Sequence, residues 1–265
     1  MTKNIVKSLT PSIEAVGHFL TLSACYVSII TYFYRIFCLS PANARRVWIA
    51  LLEKEIEFEL VSMKLNGDQF QPDFLDISPF HHIPVLADGD FHLIESLAML
   101  DYLEAKYPTI ALLPQNARDL AIVRMVQMVT VNELTPALSP FVRQTFGGAG
   151  EPENLEKSAL QVAAVLRFFE ELLGDTPFFG SNTITLADVV AGVSVPWLPE
   201  LGLSLEEYPK LEDWCDRLNS RASWKETQAS PELVEAFKAQ MKQLMKGKQQ
   251  QPLNDEINEL RREDK

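Results

Sequence analysis

The chain has 265 residues and a formal net charge of -12, and its 47% of hydrophobic and 23% of charged residues are ordinary for a soluble globular protein of one large or two ordinary domains. Such acidity argues against a nucleic-acid-binding surface, which would display clustered Lys and Arg. Three widely spaced cysteines argue against a disulfide framework and favour the cytoplasm, and the four histidines lack the spacing of a metal site.

Residues 1–29 are interpreted as an N-terminal extension that packs partly on the domain that follows. Its apolar run, VGHFLTLSACYVSII, contains a lipobox-like LSAC ending at Cys25, which would indicate a lipoprotein anchor. Pro11, Glu14, Gly17 and His18 interrupt the apolar segment, which is also too short to span a bilayer. We therefore expect no membrane partner.

The first regular elements predict a parallel βαβ unit. The β-branched and aromatic run IITYFY, from Ile29, indicates a buried strand, and ANARRVWIALLEK places Val47, Ala50 and Leu51 at helical spacing. The alternation in EIEFELVSM, over 57–60, predicts a half-buried strand one helix after the first.

An antiparallel hairpin and a helix follow. The sequence IPVLADGDFHLI has two short apolar runs around Asp88 and Gly89, a strong hairpin signal. ESLAMLDYLEAKY predicts a helix with three inward side chains, Leu97, Leu100 and Tyr102. The order β-α-β, then β-β-α, over residues 30–110, is that of a minimal thioredoxin-like sheet.

Beyond Pro114 only helical patterns occur, so residues 117–228 predict an all-α domain. Within it, Thr185 and Asp188 have the spacing of a capping box ahead of an apolar helix. Residues 229–265 are rich in Lys, Gln and Glu and predict a peripheral helix and a frayed tail. The sequence has no internal repeat and no Gly-rich phosphate loop.

Four motifs in this order make the chain resemble soluble glutathione S-transferases of the serine type, from about Thr31 to Trp224. They are SPANARRV, HHIPVL, ESLAML and TLAD. The resemblance implies an α/β thioredoxin-like N-terminal domain plus an all-α C-terminal domain, a cis peptide bond before Pro84, glutathione as co-substrate, and a homodimer. It also implies an enzyme that conjugates the glutathione thiolate to small electrophiles.

Ser40 is the candidate catalytic residue. A free thiol has a pKa of about 8.5, so glutathione needs a site that stabilises its thiolate. A hydroxyl at the start of the first helix can donate to that sulfur, and the helix dipole adds favourable potential. Alternatively, Ser40 is only a helix cap followed by Pro41. Cys38 lies two residues too early for a cysteine-type site and has no CxxC partner.

The resemblance also assigns a glutathione-binding role to five residues, Gln69, His82, Ile83, Glu95 and Ser96. Glu95 would meet the ammonium group of the γ-glutamyl end, and Ser96 with free backbone N–H groups would receive its carboxylate. The backbone of Ile83 would pair with the cysteinyl unit. Gln69 and His82 would point toward the glycyl carboxylate, although either is equally well explained as a solvated loop residue. Likewise, Ser96 can be a plain cap and Glu95 a first-turn acid.

The electrophile would bind between the domains against the segment VTVNELTPALSPFVRQTF, with Phe141 and Phe146 as candidates. Such an amphipathic face also fits plain core. Two other functions stay open. One is a non-catalytic transferase-fold module for protein interaction, and the other is a glutathione-dependent isomerase or reductase.

Overall fold

The computed structural model describes residues 27–32, 39–63, 70–145 and 151–229. The predicted extension up to residue 26 and the predicted tail from residue 230 lie outside these ranges. The N-terminal half contains β1 Val27–Tyr32, α1 Leu39–Glu53, β2 Phe58–Met63, α2 Pro72–Ile77, β3 Val85–Asp88, β4 Phe91–Leu93 and α3 Ser96–Lys106.

The four strands form one sheet in the order β2-β1-β3-β4. β1 and β2 are parallel, with Val27 opposite Phe58, whereas β1 and β3 are antiparallel and so are β3 and β4. Gly89 supplies a positive φ of 62° in the hairpin turn, which glycine adopts without strain. The predicted thioredoxin-like sheet is confirmed. β1 begins two residues before the predicted start at Ile29, within the stretch interpreted as extension.

Helices cover both faces of this sheet. On one face, buried side chains of α1 and α3 pack on those of β2 and β3 in a cluster of Val47, Leu51, Phe58, Leu60, Leu86, Met99 and Leu103. On the other face, Phe74 of α2 packs against Ile83 and Val85. Helices therefore pack on both faces of the sheet, whereas Phe91 of the edge strand β4 is 52% exposed.

The inward face of α3 differs from the prediction. Met99 and Leu103 are fully buried together with Leu100, whereas Leu97 and Tyr102 are only half-buried. In β2 the predicted alternation is also wrong, because Glu59 is buried to nearly the same extent as Phe58. A strand covered by helices on both faces buries successive residues, so its sequence does not need to alternate cleanly.

The second half is helical. It contains α4 Ala117–Val129, a π-helical turn Thr130–Leu134, α5 Thr135–Thr145, α6 Pro152–Leu173, α7 Leu186–Ala191, a 3₁₀ segment Val195–Leu201, α8 Pro209–Ser220 and α9 Ala222–Thr227. Thr130, buried at the start of the π-helical turn, donates its hydroxyl to the carbonyl of Val126 at 2.7 Å. The patterns predicted an all-α domain, but not the π-helical turn, the 3₁₀ segment or α9.

The two halves share the larger of the hydrophobic cores. Ile49 and Ala50 of α1 and Leu100 of α3 belong to the same buried cluster as the centre of the helical domain. Polar contacts reinforce this junction at α9 and the residue that precedes it. Arg45 Nε donates to Thr227 Oγ1 at 3.1 Å, and Arg221 donates to both carboxylate oxygens of Glu53 at 2.9 and 2.6 Å.

Asp188 organises the interior of the helical domain. Thr185 and Asp188 form the predicted capping box at the start of α7. The fully buried carboxylate also accepts from the backbone N–H of Phe179 at 3.0 Å and from Trp214 Nε1 at 2.8 Å. Burial raises the pKa of Asp188 to about 6, and the hydrogen bonds to Phe179, Thr185 and Trp214 partly oppose that rise.

Replacing Asp188 should destabilise the fold strongly. Asp188→Ala leaves the N–H groups of Phe179, Thr185 and Trp214 buried without their acceptor. Each such donor costs about 1 to 3 kcal/mol, so we expect a loss of at least about 3 kcal/mol in denaturant unfolding. The control is Asp175→Ala, which removes an exposed ion pair with Lys210 and should change stability by less than about 1 kcal/mol. Equal losses in the two variants would contradict this role of Asp188.

Candidate functional site

The candidate catalytic serine lies in the first turn of α1. The helix begins at Leu39, so Ser40 is its second residue and Pro41 its third. The cap interpretation required Ser40 to precede the helix, and the structure places it one residue inside. Pro41 fits there, because a residue in the first turn has no helical acceptor for its N–H. The side chain of Ser40, and Cys38 as a whole, lie outside the described residues.

Ile83, predicted as a strand residue, lies two residues before β3, in the segment that should face the cysteinyl unit. The peptide bond between Ile83 and Pro84 is cis, as the resemblance implies. Ile83 is 5% exposed and packs against Phe74 of α2, so its side chain is fixed in the smaller core. Only its backbone is therefore available to a ligand at this edge.

Glu95 and His82 contact each other at the surface. The distance from His82 Nδ1 to Glu95 Oε1 is 2.8 Å, and both side chains are more than half exposed. The resemblance assigned these residues to opposite ends of an extended tripeptide. The hairpin β3–β4 brings them together across 13 positions, which sequence spacing alone did not indicate.

The backbone of Glu95 adopts an unusual conformation. It has φ 69° and ψ 107°, at the position directly before α3, and its side chain makes no capping hydrogen bond. A positive φ in a residue other than glycine costs of order 1 to 3 kcal/mol and persists where the surrounding structure imposes it. The carboxylate of Glu95 is therefore exposed beside the N-terminus of α3. Because Glu95 does not cap this helix, its side chain leaves the first N–H groups of α3 open to a ligand.

Ser96 is the first residue of α3 and is 6% exposed. Arg46 of α1 reaches it from the protein interior, with Arg46 Nη1 donating to Ser96 Oγ at 3.4 Å. No sequence motif indicated Arg46. The available signal was its place in α1 directly before Val47 and four residues before Ala50, on the buried side of the helix, where a charged residue is uncommon.

Of the three remaining predicted residues, the structure describes only one. Gln69 and Phe146 lie outside the described residues. Phe141 is half-buried and packs against the larger core. Among the residues that the structure describes, no group of three or more His, Cys, Asp or Glu side chains could hold a metal ion. Over the same ranges, no helix is long and apolar enough to cross a bilayer.

Two exposed aromatic side chains flank the histidine pair before Ile83. Phe70 and Phe80 are 59% and 63% exposed. The ring of Phe70 lies 4.9 Å from that of His81, and the ring of Phe80 lies 5.9 Å from that of His82. The segments before and after α2 therefore present an aromatic surface close to the cis bond.

The sequence is similar to two family models and to several known proteins. The sequence matches the family model of the glutathione S-transferase N-terminal domain over residues 36–113 and that of the C-terminal domain over residues 129–222. It is 33% identical to glutathione S-transferase 3 of Zea mays, over 72% of this chain and 90% of that one. It is 29% identical to glutathione S-transferase F10 of Arabidopsis thaliana, over 71% of this chain and 93% of that one.

The fold is also shared with a solved structure. The crystal structure of glutathione transferase F7 from Populus trichocarpa superposes with a TM-score of 0.66 at 24% identity. The match covers 76% of this chain and 97% of that chain.

The backbone strain at Glu95 leads to a stability prediction. Glu95→Gly should be more stable than Glu95→Ala by about 1 kcal/mol, because both lose the contact with His82 but only glycine adopts a positive φ without steric cost. Thermal or urea unfolding of the two variants measures this difference. Equal stability, or a more stable alanine variant, would show that this φ carries no strain.

Proposed function

The chain belongs to the glutathione S-transferase family, and we propose that it conjugates the thiolate of glutathione to small electrophiles with Ser40 as the catalytic residue. Glutathione is its co-substrate. The thioredoxin-like domain would bind the tripeptide, and the electrophile would enter from the cleft toward the helical domain, near Phe141 and Phe146.

One observation carries the binding proposal: Glu95 presents an exposed carboxylate directly before the open N-terminus of α3. The γ-glutamyl end of glutathione has an ammonium group and a carboxylate on one carbon. Glu95 would pair with the ammonium group, while Ser96 and the first N–H groups of α3 would hold the carboxylate. The ammonium group would thus meet a carboxylate, and the neighbouring carboxylate of the ligand would meet hydrogen-bond donors.

The other binding roles follow from the position of the cis bond. The backbone of Ile83 would pair with the cysteinyl unit and bring its sulfur toward the start of α1. His82 contacts Glu95 in the structure. We infer that the incoming ammonium group takes over Glu95 and frees the imidazole to turn toward the glycyl carboxylate, where Gln69 would join it.

The chemistry depends on holding the sulfur as an anion. In water only a few per cent of a thiol with a pKa of about 8.5 is ionised at neutral pH. A hydrogen bond from Ser40 and the positive end of α1 would lower the pKa of bound glutathione, and the thiol proton would pass to solvent. The thiolate then forms the carbon–sulfur bond with the electrophile, whose leaving group departs or whose acceptor atom takes up a proton.

We also infer a cytoplasmic protein that acts in detoxification as a homodimer. The dimer would pair the thioredoxin-like domain of one subunit with the helical domain of the other, as is usual in this family. Exposed apolar side chains occur on both partners of such a contact. Phe80 lies on the first domain, and Met125 and Met128 on α4 of the second are 41% and 46% exposed. Aromatic and Met side chains are enriched at interface cores.

Ser40→Ala should reduce turnover while leaving glutathione binding largely intact, because the hydroxyl acts on the sulfur and not on the carboxylates of the peptide. Loss of a donor to a charged group costs about 1.5 to 3 kcal/mol. The pKa of the bound thiol should therefore rise by about one to two units. Steady-state kinetics with a chloronitroarene and the ultraviolet absorbance of the bound thiolate against pH measure both effects.

Cys38→Ala is the internal control and should keep full activity. If the cysteine variant loses activity and the serine variant keeps it, the segment is a cysteine redox site and the conjugation mechanism is wrong. If neither change matters, the thiolate is stabilised by the backbone of α1 alone.

The proposed dimer predicts a defined effect of an exposed aromatic residue. Phe80→Ser should raise the monomer–dimer dissociation constant by about tenfold or more, since buried aromatic anchors dominate interface energetics. Leu160→Ser is the control, because Leu160 is a similarly exposed apolar residue, 69% exposed on α6, and is not among the residues assigned to the contact. Sedimentation at micromolar concentration distinguishes the two. A wild-type monomer, or equal weakening by both variants, would contradict this interface.

A further inference from the structure

Arg46 is a buried cation without an acidic partner among the described residues. Its side chain is one of the largest buried side chains of the described residues, and the residue is 2% exposed. Its hydrogen bond to Ser96 Oγ is made by Nη1, whereas Nε is buried with no partner in the described part of the chain. The neighbouring Arg45, by contrast, donates to Thr227 and to the carbonyl of Trp224.

An uncompensated buried charge is unfavourable. Removal from water lowers the pKa of Arg46 to about 10, which reflects the loss of hydration of the guanidinium group. A buried cation is normally paired with a carboxylate or with several acceptors. At Arg46 the described residues supply one neutral hydroxyl, so the site has an excess of positive charge.

The open end of α3 lies at the same place. Ser96 is the first residue of this eleven-residue helix, and Glu95 makes no capping bond to it. The first N–H groups of a helix and its dipole attract an anion. The helix end and the guanidinium of Arg46, whose Nε has no partner among the described residues, thus meet at one hydroxyl, that of Ser96.

We propose that Arg46 is a positioning residue that makes this place selective for the α-carboxylate of a γ-glutamyl group, an inference that rests on the proposed glutathione binding. A serine hydroxyl has one proton to donate and two lone pairs. Because Arg46 donates to the oxygen from the interior, the proton of Ser96 is left to donate outward to the ligand. The charge of Arg46 also offsets that of the carboxylate as water leaves the site.

The role of Arg46 therefore depends on the ligand's carboxylate and not on its ammonium group. Two synthetic peptides separate these groups. γ-Aminobutyryl-cysteinylglycine retains the ammonium group without the α-carboxylate, and glutaryl-cysteinylglycine retains a carboxylate without the ammonium group. Calorimetric titration of the full chain with glutathione and with each peptide gives three dissociation constants for every variant.

Arg46→Met should weaken binding of glutathione and of the glutaryl peptide by about tenfold or more, since the Ser96 hydroxyl loses the charged donor that orients it and the carboxylate loses the charge that offsets its own. Binding of the γ-aminobutyryl peptide should change less than about twofold, because its contacts do not involve the anion site. Ser96→Ala should show the same selectivity, and the double variant should lose little more than either single one. Arg46→Lys keeps a cation and should retain part of the preference for the carboxylate.

Arg45→Met is the matched control on the same helix and should leave the ratio of the three dissociation constants unchanged. Arg46→Met should not lower the unfolding temperature, because apolar replacement of an uncompensated buried charge is neutral or stabilising. If Arg46→Met weakens all three peptides equally, or none, the inference is overturned while glutathione binding stands. If the wild-type chain binds no glutathione, the proposed function itself fails.

Discussion

Helix α1 is buried on two sides, and the rest of the structure depends on that constraint. Val47 and Leu51 pack on the sheet, while Ile49 and Ala50 enter the core of the helical domain. One helix therefore fixes the position of the two halves relative to each other. It also positions residues of the candidate site. Its first turn contains Ser40, and Arg46 in its second turn contacts Ser96 at the start of α3.

Local patterns were sufficient to predict much of the fold. The βαβ unit and the hairpin at Gly89 follow from runs of apolar residues and one turn signal, and both are confirmed. The errors have a common physical cause. Glu59 and Met99 are buried because helices cover both faces of the sheet and α3 meets two cores, and such tertiary packing overrides the simple period of a strand or helix.

The candidate site was only partly predictable, because its polar contacts join distant positions. The motifs indicated Glu95, Ser96 and the cis bond, each from its own short segment. The contact of His82 with Glu95 arises when the hairpin folds, and that of Arg46 with Ser96 spans 50 positions. The sequence does not distinguish the adjacent Arg45 and Arg46, yet Arg45 contacts α9 and Arg46 contacts Ser96 at the start of α3.

The larger core also limits which segments of this chain can be replaced by the equivalent segments of a related protein. Leu100 of the first half and the helices of the second half contribute to the same buried cluster. Cutting the chain between α3 and α4 would expose complementary apolar surfaces on both fragments. A functional chimaera with another member of the family would therefore have to take α1, α3 and α7 from the same parent, because these helices contribute to one core. The part that can be exchanged is then this junction between the two halves, and not a single domain.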